Sequence, residues 1–478
     1  MRAPRSQIRI ASLMLVVGAT MVGLGSAPRA QVPGANAARN AKQRLLAGEP
    51  LPVNMTALHD MARQRPKPVF APGRVVMKLA DGMTDEVATT LARHAGAYGI
   101  SRPRSADFVI VSLPLDADVV AAAAALAAQP GVVYAQPDPI AVLAYVPNDP
   151  LYQYQWNFHR LNMERAWDIN RGGDSSLTVA VIDSGLAYID QGAFRQAPDL
   201  AGVTCLAPRD FIWDDETPTD MDGHGTHVAG TIGERTGNGI GAAGMAFNVA
   251  LMPLKAVSGP WDEALGAPNV GTASIVAEAV RYAADHGASV INMSLGFQAE
   301  VAPVRDAIVY AIDKGAVVVA AAGNSGNEGS PEFWPAAYAA SIEGLIAVGA
   351  VDYNFNRAPY SNSNAYVEVA APGGNLDVDA DGDGYPDGVL QETLDLDLVD
   401  HGIFNQFAYI FLQGTSMAAP HVSGLAALLM THGVKAPKAV EAVIERSATD
   451  VGPAGRDNDT GFGVINPRGA SYGIGLAR

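Results

Sequence analysis

Four polar residues of types that act together in nucleophilic catalysis are spread along the chain. A serine hydroxyl is a poor nucleophile at neutral pH, so it needs a base, a carboxylate that orients the base, and a hydrogen-bond donor for the oxyanion. The chain offers one residue of each type, in the order Asp183, His224, Asn324 and Ser416. The set indicates attack of the serine hydroxyl on a carbonyl group.

The segments around these residues are glycine-rich. They read Val-Ala-Val-Ile-Asp-Ser-Gly at 179–185, Gly-His-Gly-Thr-His-Val-Ala-Gly at 223–230, Ala-Ala-Gly-Asn-Ser-Gly at 321–326 and Gly-Thr-Ser-Met-Ala-Ala-Pro-His at 414–421. In this order they resemble the motifs of the subtilisin-like serine peptidases (subtilases), and the resemblance covers residues 70–478. It implies that Asp183 orients His224 and that His224 takes the proton of Ser416. The oxyanion is then held by the Asn324 amide and the Ser416 N–H.

The same resemblance implies where a peptide substrate binds. Ser294, Leu295 and Gly296 would pair with its backbone on one side of the P1 pocket, and Ala321, Ala322 and Gly323 would form the other wall. Glu332 and Phe333 lie in the loop near the pocket floor, where smaller residues are common in the family. Two interpretations stay open: a narrowed pocket, or a preference for basic residues.

Alternating apolar strands and helices from residue 176 onward predict a parallel sheet buried on both faces, in a subtilisin-like three-layer α/β sandwich. Strands are predicted at 177–182, 250–256, 289–294, 316–321, 345–350 and 367–370, and helices near 224–234, 272–286, 301–314, 415–431 and 437–447. Sites in such folds lie outside the carboxyl ends of the strands. Asp183 directly follows one predicted strand, and Asn324 follows another shortly after its end.

Residues 71–140 have a separate pattern. A strand near 73–79, a helix near 85–95, a strand at 106–113, a helix at 116–128 and a closing strand at 130–138 predict a small α+β (ferredoxin-like) domain. It resembles the inhibitor-type propeptide of the subtilases, which implies an intramolecular inhibitor removed by autoprocessing. The Pro-Asn-Asp-Pro segment at 147–150 resembles the start of a mature enzyme, so the junction is predicted between Ile140 and Pro147, with the catalytic domain at 147–478.

The N-terminus is typical of an export signal. Arg2, Arg5 and Arg9 precede an apolar run from Ile10 to Leu24, and small residues follow. We therefore predict a signal peptide at 1–27, a linker at 28–70, and a secreted enzyme, extracellular or periplasmic. The apolar run is too short for a comfortable membrane span, so no membrane anchor is expected.

Charge and cysteine content narrow the function classes further. Residues 1–145 carry 15 Lys and Arg against nine Asp and Glu, whereas residues 146–478 carry 17 against 40. The acidic part argues against nucleic acid as a partner and leaves protein or peptide substrates. The asymmetry fits either weak attraction between the two parts or a chance effect of leader and acidic loops. Cys205 is the single cysteine, so no intrachain disulfide forms, and we expect a monomer.

Calcium is the cofactor that the sequence suggests, at two places, and no organic cofactor is predicted. Asp149, Asp199 and Asn238 resemble the ligands of the family's high-affinity calcium site. The second place is an apparent insertion between Pro372 and Thr415, where oxygen-bearing side chains alternate at Asp377, Asp379, Asp381, Asp383 and Asp387. A full EF-hand fails because Leu390 stands where a carboxylate is needed. A solvated acidic loop is the alternative.

Three other interpretations compete. His227, three residues after His224, suggests a two-histidine metal site, but the His-Glu-x-x-His pattern of zinc peptidases is missing, which favours a structural role. The chain could be a catalytically silent binding or chaperone protein of subtilase shape, against which the complete set of four residues argues. An acid-acting sedolisin-type peptidase uses Glu in place of the histidine, which the His224 motif contradicts.

Overall fold

The computed structural model describes residues 70–139 and 145–473, which belong to two separate units. The predicted signal peptide, nearly all of the predicted linker and residues 140–144 of the predicted processing junction lie outside the described residues. Within the described ranges, none of the helices is both long and apolar enough to cross a membrane.

Over residues 70–139, the N-terminal unit is built of four antiparallel strands and two helices. Its elements are β1 (Phe70–Leu79), α1 (Asp85–His94), β2 (Gly99–Ser101), β3 (Val109–Ser112), α2 (Val119–Ala127) and β4 (Val132–Pro139), with sheet order β2-β3-β1-β4. Alternate residues of β1, such as Val75 and Met77, are buried against both helices. The predicted α+β fold is confirmed, except that the three-residue strand β2 was not predicted.

Over residues 145–473, the C-terminal unit contains nine strands. They are β5 (Thr178–Asp183), β6 (Arg209–Asp210), β7 (Ala250–Lys255), β8 (Val290–Met293), β9 (Val317–Ala321), β10 (Leu345–Val351), β11 (Val369–Pro372), β12 (Val389–Leu394) and β13 (Phe407–Leu412). Its α-helices are α3 (Trp156–Arg160), α4 (Met163–Trp167), α5 (His224–Gly233), α6 (Pro260–Leu265), α7 (Ala273–Asp285), α8 (Ala302–Asp313), α9 (Leu396–Val399), α10 (Thr415–Thr431), α11 (Pro437–Ser447) and α12 (Pro467–Gly473).

Seven of these strands form one parallel sheet in the order β11-β10-β9-β8-β5-β7-β6. Every residue of β5, β7, β8, β9, β10 and β11 is buried, as expected for strands covered on both faces. Strand β5 lies between β7 and β8. The strands that follow β5 in the sequence extend the sheet on both sides of it, β6 and β7 on one side and β8 to β11 on the other, so the strand order switches direction at β5. This switch in strand order is where open α/β sheets bind ligands, at the carboxyl ends of the strands.

Helices cover both faces of the sheet, which confirms the three-layer α/β architecture. One apolar cluster joins the sheet to α5, α10 and α11, and the other joins it to α7 and α8. The segment interpreted as an insertion contains, in its second half, the antiparallel hairpin β12–β13, which was not predicted. The hairpin is rich in buried polar residues such as Gln391 and Glu392, which disguised its strands in the sequence.

Candidate active site

Asp183 and His224 form the central pair of the site. Asp183 is the last residue of β5 and His224 the first residue of α5. The imidazole Nδ1–H donates to Oδ1 of Asp183 at 2.7 Å, and the N–H of Ser184 donates to the same oxygen at 2.7 Å. The Asp183 side chain is 4% exposed, whereas that of His224 keeps 33% of its surface accessible. The bond to Nδ1 fixes the tautomer whose Nε2 can accept a proton.

The helix that carries His224 approaches the end of β5 closely because Gly225 has no side chain. A Cβ at Gly225 would lie 3.1 Å from Cβ of Asp183 and would clash with the carbonyl oxygen of Gly185. The Gly-His-Gly motif therefore permits the short contact between helix and strand.

A second carboxylate, Asp220, fixes the start of this helix. Its Oδ1 accepts the N–H of Gly223 at 2.9 Å and the hydroxyl of Ser184 at 3.0 Å, while its Oδ2 accepts the N–H and the hydroxyl of Thr226 at 3.0 and 2.6 Å. Asp220 is 1% exposed. Sequence reasoning missed this residue. Its signal was an aspartate just ahead of a helix start, which is a capping pattern.

The surroundings of His224 favour its charged form. Burial lowers the pKa of the imidazole, but the charge and hydrogen bond of Asp183, with smaller contributions from Asp222 and Asp220, outweigh burial and raise the pKa to about 9. Asp222 also accepts the backbone N–H of His224 at 3.2 Å.

Ser416 lies in the first turn of α10, beside the end of β8. Its hydroxyl donates to the carbonyl oxygen of Ser294 at 3.1 Å, and the Ser294 hydroxyl donates to the carbonyl oxygen of Ser416 at 2.8 Å. The hydroxyl thus bonds Ser294 rather than the imidazole of His224. In enzymes without substrate the catalytic hydrogen bonds are often long or differently directed, and they tighten only in the complex.

Asn324 lies next to Ser416 through Thr415. Its Oδ1 accepts the N–H of Thr415 at 2.8 Å and the Thr415 hydroxyl at 2.9 Å, so Nδ2 is left to donate elsewhere. A Cβ on Gly414, whose φ is 154°, would lie 3.5 Å from Nδ2 of Asn324 and 3.6 Å from the backbone N of Ser416. The nitrogens of both predicted donors therefore lie close to the space that Gly414, having no side chain, leaves open.

The two segments expected to bind substrate flank this point. Ser294 touches Ser416 as described, and the N–H of Gly323 donates to the Thr415 hydroxyl at 3.2 Å. Ala321, Ala322, Ser294 and the backbone around them lie at the carboxyl ends of β9 and β8. The structure thus brings all four catalytic candidates and both walls to one edge of the sheet.

The ring of His227 is bonded to backbone carbonyl oxygens. Its Nε2–H donates to the carbonyl oxygens of Val389 and Ile410 at 3.0 and 3.1 Å, which attaches the β12–β13 hairpin to helix α5. Thr393 of the same hairpin donates to the carbonyl oxygen of Gly223. Within residues 70–139 and 145–473, every group of three side chains spaced for a metal ion consists of carboxylates alone, so a histidine-based zinc site gains no support.

The predicted calcium loop is only partly assembled. Carboxylate oxygens of Asp379, Asp381 and Asp387 lie within 4.8 Å of one another, whereas Asp377 and Asp383 are outside that group. Asp387 is 2% exposed, and burial raises its pKa to about 6. Oxygen ligands at this spacing suit a hard divalent cation.

The other predicted calcium ligands also lie close together, but their oxygens accept N–H groups. Asp149 accepts the N–H of Gly237 at 2.7 Å and that of Asn238 at 3.2 Å. Asp199 accepts the side-chain amide of Asn238 at 2.7 Å and the N–H of Ala242 at 2.8 Å. These carboxylate oxygens are thus bonded to N–H groups as placed, and calcium binding there stays a prediction.

A third acidic group had no signal in the sequence. Glu368, Glu441 and Glu445 come from the start of β11 and from α11, and their oxygens lie within 4.8 Å of one another. Glu441 accepts the N–H of Gly344 at 2.6 Å, and burial raises its pKa to about 7. These residues lie at the amino ends of β10 and β11, on the opposite edge of the sheet from Ser416.

Comparison of the sequence with known protein families agrees with this geometry. The sequence matches the model described as "Subtilase family" over residues 174–463, which contain all four catalytic candidates. The chain belongs to the subtilase family. A second model, the fervidolysin N-terminal prodomain, matches residues 58–138, so this subtilase carries a prodomain ahead of its catalytic part.

This subtilase aligns with two relatives over most of the length of each. A thermophilic serine proteinase of Bacillus sp. (strain AK1) is 36% identical over 77% of this chain and 80% of its own, and thermitase of Thermoactinomyces vulgaris is 34% identical over 65% and 94%. Among solved structures, a protease from Pseudoalteromonas arctica aligns with a TM-score of 0.56 and 30% identity, over 69% of this chain and 99% of its own. This subtilase is accordingly a serine endopeptidase, a subtilisin-like hydrolase.

Proposed function

We propose that this subtilase is a secreted endopeptidase that cleaves peptide bonds through an Asp183-His224-Ser416 triad and an acyl-enzyme intermediate. The observation that carries the proposal is the 2.7 Å bond from Nδ1 of His224 to the buried Asp183. Ser416, at the start of a helix, bonds Ser294 at the end of the neighbouring strand β8. A neutral, correctly oriented imidazole is what a serine nucleophile requires.

In the first step Nε2 of His224 takes the proton of the Ser416 hydroxyl as Oγ attacks the substrate carbonyl. This step requires the hydroxyl to give up its 3.1 Å bond to the Ser294 carbonyl oxygen and to donate to Nε2 of His224 instead. Asp183 stabilises the imidazolium that forms. The imidazolium then gives its proton to the leaving amine, and water hydrolyses the acyl-enzyme by the same route.

The developing oxyanion is held by the Nδ2–H of Asn324 and the N–H of Ser416. The space in front of Gly414, 3.5 and 3.6 Å from those nitrogens, is where the oxyanion would lie. Ser416 also stands in the first turn of a helix of 17 residues, whose N-terminus favours negative charge. Removing such a donor costs roughly 3 kcal/mol of transition-state stabilisation.

Substrate specificity would come from the two walls already described. The backbone of Ser294, Leu295 and Gly296 would pair with an extended peptide on one side, and that of Ala321, Ala322 and Gly323 would line the other side. This arrangement accepts proteins or peptides and does not suit nucleic acid, in keeping with the acidic charge of residues 146–478.

The prodomain would act as an intramolecular inhibitor that is cut off by the enzyme itself, after a signal peptide has directed export. The match to a fervidolysin-type prodomain over residues 58–138 supports this order of events. N-terminal sequencing of the exported protein tests it. We expect a start between residues 141 and 147 in the wild type and an uncut chain in Ser416→Ala. The same start in both proteins would assign the cut to another protease.

Structural calcium fits the acidic loop best. Asp379, Asp381 and Asp387 offer oxygens within 4.8 Å of one another, and Asp387 is buried at the base of the loop. A bound cation would neutralise their repulsion and hold the loop in place; it would take no part in the reaction. No organic cofactor is needed for the proposed chemistry, and we propose that the mature enzyme works as a monomer.

The function itself is tested by peptide hydrolysis with matched variants. The mature wild-type protein should hydrolyse denatured casein, and Ser416→Ala and His224→Ala should lower the rate by about 10⁶-fold. Hydrolysis that persists in Ser416→Ala, in protein separated from any wild-type contamination, would remove Ser416 from the mechanism.

A further inference from the structure

The space beside the Ser416 hydroxyl is bounded by two segments that end in glycine. Ser294 bonds Ser416 directly, and Gly296 lies two residues further on. Gly323 bonds Thr415 and precedes Asn324. A residue whose carbonyl is attacked by Ser416 must place its side chain between these segments, because the acyl group lies between the nucleophile and the oxyanion donors.

The ring of Phe333 already occupies the space between the two glycines. A Cβ on Gly323 would lie 2.9 Å from Cγ and 3.0 Å from Cβ of Phe333, so the base of the side chain touches this wall. A Cβ on Gly296 would lie 2.7 Å from Cζ of Phe333 and closer still to its Cε1, so the tip of the ring touches the opposite wall. The long axis of the phenyl ring therefore spans the gap.

The backbone around Phe333 is held by short hydrogen bonds. The N–H of Trp334 donates to the carbonyl oxygen of Phe297 at 2.9 Å, and the N–H of Phe297 donates to the carbonyl oxygen of Trp334 at 2.6 Å. The Trp334 ring packs on Tyr338 with centroids 4.3 Å apart. Because Phe297 directly follows Gly296, these bonds attach the loop to the wall that the ring contacts. Phe333 is thus part of the wall and not a free loop side chain.

We propose that Phe333 closes the P1 subsite, so that this endopeptidase cleaves after small residues such as glycine, alanine and serine and discriminates against aromatic and long basic residues. The proposal rests on the proposed function, since it concerns the substrate side chain at the same site. The reason is steric. A second aromatic ring cannot enter a gap that one ring already spans, whereas a methyl group needs only the open end of the gap.

Glu332 does not supply the basic preference that the sequence left open. Its side chain is exposed, so water screens its charge. The gap itself is filled by the apolar ring of Phe333.

The proposal is tested with peptide p-nitroanilides that differ only in their P1 residue. The protein is the mature enzyme, produced by expressing the full chain. In the wild type, we expect kcat/KM for P1 alanine to exceed that for P1 phenylalanine and P1 arginine by roughly tenfold or more. Wild-type enzyme that cleaves the phenylalanine or the arginine substrate as well as the alanine substrate would overturn the proposal without any variant.

The variant Phe333→Ala should raise the ratio of kcat/KM for P1 phenylalanine to kcat/KM for P1 alanine by roughly tenfold or more. Phe333→Leu, which keeps most of the bulk, should retain the preference for small residues. Phe462→Ala is the matched control. Phe462 is also partly exposed, but its N–H bonds the carbonyl oxygen of Glu368 at the far edge of the sheet, so its loss should not change the ratio.

Different results would refute the role of Phe333 and the proposed endopeptidase function. An unchanged ratio in a folded, active Phe333→Ala refutes the role of Phe333 and leaves the endopeptidase assignment intact. Absence of turnover on every substrate, together with no fluorophosphonate adduct on Ser416, refutes the proposed function itself. Should Phe333→Ala fail to fold, the wild-type panel and Phe333→Leu still decide.

Discussion

Oδ1 of Asn324 accepts both the N–H and the hydroxyl of Thr415, at 2.8 and 2.9 Å. These two bonds orient the amide so that Nδ2 is available beside the N–H of Ser416. Thr415 therefore orients the amide that we propose as an oxyanion donor.

The first prediction concerns this donor. Asn324→Leu has a side chain of similar size that cannot donate, so kcat should fall by about 10²–10³-fold with KM little changed. Thr415→Val removes one of the two bonds that orient the amide and should lower kcat by about three- to tenfold. Steady-state kinetics on one P1 alanine substrate give both values. A change confined to KM in Asn324→Leu would contradict an oxyanion role.

The second prediction is a pH profile. His224 must be neutral to accept the Ser416 proton, and its pKa is raised to about 9, so kcat/KM should climb with pH until about pH 9. Asp222→Asn keeps an oxygen for the His224 N–H but removes a charge that favours the imidazolium, so the rising limb should move to lower pH. Stopped-time assays at constant ionic strength measure the midpoint. If the midpoint of the rising limb is the same in Asp222→Asn and in the wild type, Asp222 does not act on His224.

The third prediction concerns Asp220. Asp220→Ala leaves several buried donors without an acceptor, including the N–H groups of Gly223 and Thr226, and should lower the free energy of unfolding by roughly 2 kcal/mol or more. It should also displace His224 from Asp183. The rate of fluorophosphonate labelling, measured on folded protein well below the thermal midpoint, should fall with it. A purely structural role would lower stability and leave the labelling rate unchanged.

The fourth prediction concerns calcium. Chelation should lower the thermal midpoint of the wild type by several degrees, because an ion that binds only the folded state stabilises it. Asp381→Asn should remove most of this dependence, whereas Asp377→Asn, outside the group of three carboxylates, should keep it. Calorimetry with and without added calcium distinguishes the variants. Equal calcium dependence in all three proteins would place the ion elsewhere.

Much of the fold was readable in the sequence because its strands are buried on both faces. The continuous apolar runs before Asp183 and in β9 mark parallel strands, and they correctly predicted that Asp183 and Asn324 lie at one edge of the sheet. The glycines near His224 and Ser416 were informative for the same physical reason: each permits a close approach that a side chain would block.

The parts that could not be predicted depend on tertiary contacts. Asp220 also accepts the Ser184 hydroxyl from the segment after β5, a contact that its local capping pattern does not reveal. The hairpin β12–β13 was missed because Gln391 and Glu392 are buried polar residues whose partners lie far along the chain. Likewise, the sequence placed Phe333 near a pocket but gave no sign of which way its ring points. The grouping of only three of the five loop aspartates is set by backbone geometry.

The central claim is that Ser416 is the nucleophile of an assembled triad, and covalent labelling with a fluorophosphonate tests it most directly. Peptide mapping of the labelled mature enzyme should find one adduct, on Ser416, and His224→Ala should lose it although the protein stays folded. A folded, mature protein that takes no label, or that takes it on another residue, would contradict the account and favour a catalytically silent protein of subtilase fold.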